Sequence, residues 1–211
     1  MRQGYLNQVK LLLRILPEVE KIQNFAIKGG TAINFFLRDI PRLSVDIDLT
    51  YVPINDRESS LIDISQSLTT IASRIKRRIP GIQIRDKKLR SGHTVTLFIN
   101  TKEALVKVEV NTILRGTIFP PEEKEVNHGL RNILGINEFV IARTISVPEL
   151  YAGKMIATLD RQHPRDLFDI KILYDNEGMA DSIRRTFLIY LVSSSRPIAE
   201  ILNPNLLHID S

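Results

Sequence analysis

Two aspartates one residue apart, Asp46-Ile47-Asp48, lie in a run that alternates cleanly. Val45, Ile47, Leu49 and Tyr51 fall on one side, and Ser44, Asp46, Asp48 and Thr50 on the other. Residues two apart on a β-strand share a face, about 7 Å from each other along the backbone. Strands disfavour aspartate, so two on one face imply either an exposed edge or a purpose. A third acid, Glu109, alternates in the same manner within Val106-Lys107-Val108-Glu109-Val110-Asn111. Three clustered carboxylates raise one another's pKa by repulsion, and a bound hard cation reverses that effect. Mg²⁺ held by a few carboxylates and substrate phosphates fits such a set, with Mn²⁺ as a substitute. Gly29-Gly30-Thr31 stands 15 residues upstream, counted from Thr31 to Asp46. Glycine admits close approach of an anion to the backbone, and a helix start presents N–H groups to it. Any tight strand-to-helix turn needs such residues, so the turn gains meaning from the aspartates that follow.

Other residues have two readings. Ser44 shares the face of Asp46 and suits either a phosphate or a local hydrogen bond. Arg42, just before the strand, suits either a triphosphate or a structural ion pair. A second cluster lies far downstream. Lys154 is flanked by the small residues Gly153 and Ala157, and His163-Pro164-Arg165-Asp166-Leu167-Phe168-Asp169 opens a further helix. Proline and an early aspartate both favour a helix start, which alone accounts for Asp166. Asp169 is placed to pair with Lys154 or Arg165, and His163 reads as a turn residue.

The elements that position these groups follow from periodicity. Tyr5, Leu6, Val9, Leu12, Leu13 and Leu16 have helical spacing and precede Pro17. Phe25-Ala26-Ile27 reads as a short buried strand entering the glycine turn, and Thr31 is predicted to cap a helix over 32–38 that Pro41 stops. Residues 44–51 read as a half-buried strand. Leu61 to Ile75 mark a long amphipathic helix ending near Pro80. Its last turns carry Arg74, Lys76, Arg77 and Arg78, which suit the helix dipole or an RNA backbone. Strand-like runs follow at 82–85, 94–100 and 105–114. Pro120-Pro121 and the charged residues after them read as a linker. Beyond about Ile145 the pattern is helical, opened by the capping-box match Ser146-Val147-Pro148-Glu149 and continued over 165–174 and 182–192. This order predicts an α/β domain over 1–116 and a mostly helical domain over 117–211.

Composition allows this. The 211 residues are 43% hydrophobic, enough for a real core, and contain no cysteine, which excludes disulfides and thiolate metal sites. The lack of cysteine fits a reducing cytoplasm. No apolar run approaches the roughly 18 residues of a membrane span, so no membrane partner is expected. The balance of 29 Lys+Arg against 24 Asp+Glu, net +5, tolerates a polyanionic partner without demanding one.

Taken together, Gly29-Gly30-Thr31, Arg42-Leu43-Ser44-Val45-Asp46-Ile47-Asp48-Leu49, Val108-Glu109-Val110-Asn111, Pro148-Glu149-Leu150-Tyr151-Ala152-Gly153-Lys154 and Arg165-Asp166-Leu167-Phe168-Asp169 resemble one family. It is the abortive-infection group of nucleotidyltransferase toxins, the AbiEii/MenT type, within the DNA polymerase β-like superfamily. The resemblance implies a polymerase β-like α/β fold with a mixed sheet, followed by a helical domain. It implies that Gly29, Gly30 and Thr31 hold an NTP with Arg42 and Ser44, and that Asp46, Asp48 and Glu109 ligate Mg²⁺. Lys154 would neutralise phosphate charge, and Asp166 would be an essential acid with Arg165 beside it. The activity implied is transfer of a nucleoside monophosphate to an RNA, the tRNA 3′ end in some relatives, which blocks translation and is restrained by a cognate antitoxin. Transfer to a protein hydroxyl and non-catalytic NTP binding are the alternatives. Two departures stand out. The gap between Thr31 and Asp46 is long, leaving room for Pro41-Arg42 to reach the phosphates. The sequence also stops soon after Asn203-Pro204, where longer relatives continue, which bears on acceptor binding.

Overall fold

The computed structural model describes residues 3–39, 42, 44–135 and 139–205. The expected helix stop at Pro41 lies outside them. The chain divides into two compact units, 1–117 with 121–145, and 118–120 with 146–211.

The first unit is a seven-stranded mixed sheet. Its strands are β1 (Phe25–Lys28), β2 (Ile47–Tyr51), β3 (Gln83–Lys88), β4 (Thr94–Asn100), β5 (Leu105–Asn111), β6 (Glu122–Glu125) and β7 (Ile141–Thr144), in the order β3-β4-β5-β2-β1-β7-β6. β2 runs parallel to β5, and β1 parallel to β7; the other neighbours are antiparallel. Helix α1 (Gln3–Glu20) and helix α3 (Arg57–Arg78) pack on one face, α1 against β5 and α3 against β4. Leu12, Leu16, Ile64, Leu68, Ile47, Leu49, Leu97, Val106 and Val108 are buried. The alternation of β2 and β5 decides this: the valines, isoleucine and leucine turn into the core, and the acids to the other face.

Several elements depart from the sequence reading. α1 continues one turn past Pro17, whose ring the helix accommodates while Val19 stays buried. The glycine turn is itself helical: α2 (Gly29–Ala32) begins at Gly29 and passes into a π-helical turn over Ile33–Leu37. Thr31 is therefore inside the helix and does not cap it. β2 begins at Ile47, so Asp46 lies just before the strand. The charged run after Pro121 is no linker; it forms β6, which pairs with β7 and edges the sheet. The division of packing at 145/146 thus differs from the expected boundary at 116/117, because β6 and β7 complete the sheet beside β1. Helix α4 (His128–Leu134) also belongs to this unit, capped by Asn127, whose side chain accepts from the Leu130 N–H at 3.0 Å.

The second unit holds α5 (Val147–Arg161), α6 (Pro164–Asn176), α7 (Asp181–Val192) and α8 (Ile198–Leu202), with α5 packed against the other three. Ser146 caps α5 as expected. The Glu149 side chain, almost fully buried, accepts from Ser146 Oγ at 2.9 Å, from the Ile118 N–H at 2.9 Å and from the Phe119 N–H at 3.3 Å. It ties residues 118–120 to the helices. No helix among the described residues is long and apolar enough to cross a membrane.

Candidate active site

The open face of the sheet brings the acidic residues together by register. Asp48 is the partner of Glu109 on β5 and of Lys28 on β1. Cross-strand partners share a face, so the Asp48 and Glu109 side chains are neighbours. Burial raises the Asp48 pKa; Lys107 and Lys28 oppose this, while Asp46 and Glu109 add to it. Glu109 behaves differently. Its burial is outweighed by Lys107, which donates to Oε2 at 2.9 Å, and by Thr96, which donates to Oε1 at 3.3 Å, so its pKa is held below the usual value. Among the described residues no group of three His, Cys, Asp or Glu side chains is gathered closely enough to hold a metal ion as it stands. Of the expected three-carboxylate cluster, Asp48 and Glu109 are partners in register and Asp46 lies just before β2, and the three are not closed into one group. The physical reason is Lys107, two residues from Glu109 on the same face, whose ammonium already engages Glu109.

The glycine turn is built around these acids. Gly29 has φ of 71°, and a Cβ there would lie 2.7 Å from Asp48 Oδ2. A Cβ on Gly30 would lie 2.7 Å from an Arg42 guanidinium nitrogen and 3.0 Å from Ser44 Oγ. Gly29 requires glycine for its φ and for this close approach, while at Gly30 a Cβ would meet only the ends of two side chains. Thr31 is buried; its hydroxyl donates to the Asp46 carbonyl at 2.5 Å and lies 3.0 Å from Ser44 Oγ. Its side chain therefore positions the aspartate segment and is not directed at a phosphate. Only its backbone N–H, in the first turn of α2, keeps the expected role. Asn34, fully buried, donates to the Gly30 carbonyl at 2.8 Å and accepts from the Arg42 N–H at 3.2 Å. It fastens Arg42 beside the turn.

In the second unit Lys154, on α5, has a side chain only 7% exposed. Its ammonium lies 2.8 Å from Asp166 Oδ1 and 3.1 Å from Asp169 Oδ2, both on α6. Arg161 Nε donates to the second Asp166 oxygen at 2.6 Å. Burial would raise the Asp166 pKa, but Arg161 and Lys154 outweigh it and lower it. Gly153 admits the Tyr190 ring of α7, whose nearest carbon would lie 3.4 Å from a Cβ there. The small residue beside Lys154 thus serves helix packing.

A family model described as the nucleotidyl transferase AbiEii toxin of a Type IV toxin–antitoxin system matches residues 10–210. The chain belongs to the AbiEii nucleotidyltransferase toxin family. It is an enzyme of the nucleotidyltransferase class and the toxin of a toxin–antitoxin system. Among solved structures it is similar to MenT4, a nucleotidyltransferase toxin from Mycobacterium tuberculosis H37Rv, with TM-score 0.68 and 16% identity over 97% of this chain and 73% of that one. JHP933 from Helicobacter pylori gives 0.52 and 18% over 95% and 88%. The antibiotic-resistance factor ANT(2'')-Ia gives 0.51 and 16% over 87% and 91%. At such identities these likenesses are of fold. A search of curated proteins gives no match.

Within this toxin, the structure joins Gly29, Gly30, Arg42, Ser44, Asp46, Asp48 and Glu109 in one region of the first unit, and Lys154 and Asp166 in the second. Arg165 stands apart from the expected pairing: it is exposed, and Arg161 takes the place beside Asp166. Sequence reasoning assigned no role to Lys107, Asn34 or Arg161. Lys107 was legible in principle, since it alternates onto the face of Glu109. Arg161 lies about two turns after Lys154 on the same helix, a weaker signal. Asn34 carries none, because its role depends on the chain returning at Arg42.

Proposed function

We propose that this toxin transfers a nucleoside monophosphate from an NTP to the 3′-terminal hydroxyl of tRNA, releasing pyrophosphate and blocking translation in the cytoplasm until a cognate antitoxin intervenes. The observation that carries this reading is the pairing of Asp48 with Glu109 directly beside a glycine turn in which Gly29 has a left-handed φ and no room for a Cβ against Asp48. Gly29, Gly30 and the Thr31 backbone offer the triphosphate a close approach, with Arg42 and Ser44 flanking Gly30. Asp46 and Asp48 are oxygen donors that suit a hard divalent cation, and Glu109 joins them once Lys107 releases it. The donor set therefore fits Mg²⁺, and Mn²⁺ in its place. What the ion supplies when bound is charge neutralisation at the phosphates and activation of the attacking hydroxyl.

The chain's own contribution is positioning and charge, the main resources in phosphoryl transfer. Thr31 holds the Asp46 backbone, and Asn34 holds Arg42. Lys107, freed from Glu109, becomes a cation next to the phosphates. In the second unit Asp166 and Asp169 hold the Lys154 ammonium, to which the family resemblance gives a charge-neutralising role, and Arg165 is exposed. Basic side chains bind an RNA backbone through counterion release.

The test is incubation of the protein with each α-labelled NTP, Mg²⁺ and total tRNA, followed by a denaturing gel. Label on tRNA that nuclease removes is expected. Label that survives nuclease and is lost to protease would assign the activity to a protein hydroxyl, and no label on either would leave an NTP-binding module.

A further inference from the structure

The open face of the sheet continues beyond the acidic residues to the β3 edge. Lys87 is the partner of Thr96, Thr96 of Glu109, and Glu109 of Asp48, so one row of side chains crosses four strands. The adjacent row runs Arg85, Phe98, Lys107. Arg85 and Lys87 are exposed, and Phe98 is half-buried between Arg85 and Lys107. The alternate residues of β4 and β5, Leu97, Ile99, Val106 and Val108, are buried in the core, which fixes Phe98 on the open side.

Charged edge strands have an ordinary use, to discourage pairing with other chains. Lys88, on the other side of β3 and 3.7 Å from Asp86, serves that use. It does not account for two cations facing the acidic centre, nor for an aromatic ring set beside them. A ring on a sheet face flanked by cations is the arrangement that binds single-stranded nucleic acid: the ring stacks a base and the cations meet phosphates. Phe98 lies two strand spacings, about 10 Å, from the Asp48 strand, so the surface is continuous with the centre.

We propose that Arg85, Lys87 and Phe98 form the acceptor track, on which the single-stranded 3′ end of an RNA lies with one base on Phe98 and its phosphates on the two cations. This rests on the reading that the acceptor is RNA. The test is fluorescence anisotropy of a labelled, unstructured RNA oligonucleotide against the full chain over a range of salt, with NTP binding followed separately by the NTP-induced rise in melting temperature. Phe98→Ala and Phe98→Leu should each weaken RNA binding about tenfold, the loss of one stacked base. Phe98→Leu keeps an apolar side chain, so a merely structural Phe98 would not produce that loss. Arg85→Ser with Lys87→Ser should reduce the slope of log affinity against log salt by about 1.4, two phosphate contacts at single-strand density. The NTP response should be unchanged in all of them. Parental RNA affinity in Phe98→Leu together with a parental salt slope in the double variant would overturn the track and leave the RNA reading standing. A parent protein that binds no RNA and labels a protein would overturn both.

Discussion

Asp48 is a carboxylate that the fold keeps at a cost. It is half-buried, its pKa is raised by burial, and Asp46 and Glu109 are its acidic neighbours. A carboxyl whose folded pKa is raised loses stability as pH rises through that range, so its ionised form weakens the metal-free protein at neutral pH. Asp48→Asn should therefore raise the melting temperature of the metal-free protein while removing transfer activity; a lowered melting temperature would contradict the charge balance read here. The glycines differ in what they tolerate. Gly30→Ala meets the ends of two side chains, Arg42 and Ser44, which can shift, so the fold should survive while KM for NTP rises about tenfold, the scale of one lost contact of about 1.4 kcal/mol. Gly29→Ala adds a left-handed φ to a clash with Asp48, and should lose about 1 kcal/mol or more by chemical denaturation. The acids were legible because a two-residue period puts them on one face whatever the fold. That Glu109 is held by Lys107 was not, because periodicity gives the face and not the partner.

At the scale of elements, α5 and α6 are joined by a buried ion cluster in which one lysine serves two aspartates. Removing one partner of a buried pair leaves uncompensated charge, so Lys154→Ala should lose about 3–5 kcal/mol in urea unfolding. Lys154→Arg should lose less, and equal losses would show that the charge is not what holds the helices. Activity of Lys154→Ala has to be measured below its own unfolding transition, where slowed transfer reports on phosphate binding. Asp166 gives the pH dependence. Its folded pKa is lowered, so its contribution is present above the unfolded value of about 4 and is lost as pH falls below it. The melting temperature should fall on acidification from pH 5 to pH 3, and less steeply in Asp166→Asn. The helices were legible because their apolar period is long. β6 was not, because its four residues are Glu122, Glu123, Lys124 and Glu125, a composition that reads as solvated; only pairing with β7 at the sheet edge makes it a strand. The basic end of α3 was ambiguous in sequence, and Arg78 resolves in part as an ion pair 2.9 Å from Glu18.

For the whole molecule, strand order matters more than chain order. β1 lies between β2 and β7, which are separated from it in sequence by 19 and 113 residues, counted from Lys28 to Ile47 and from Lys28 to Ile141. Ile27 is paired with Thr144 and accepts from the Ile145 N–H at 3.0 Å. A fragment ending at residue 116 would leave β1 as an open edge, and should lack a cooperative thermal transition. A fragment ending at residue 145 retains all seven strands and should show one. Equal behaviour of the two would remove β6 and β7 from the first folding unit. The mixed α/β class was legible from the order of helices and strands, but the place of the boundary was not, since Pro120-Pro121 reads as a break and the sheet resumes directly after it at Glu122.

The most direct measurement is pyrophosphate release with matched transfer of α-label to tRNA, comparing the parent protein with Asp48→Ala at equal folded concentration in Mg²⁺. The parent should release one pyrophosphate per nucleotide added, and Asp48→Ala should fall by about three orders of magnitude or more, the scale on which loss of a transition-state charge stabiliser is felt. Parental rates in Asp48→Ala would contradict the assignment of this face as the centre of transfer.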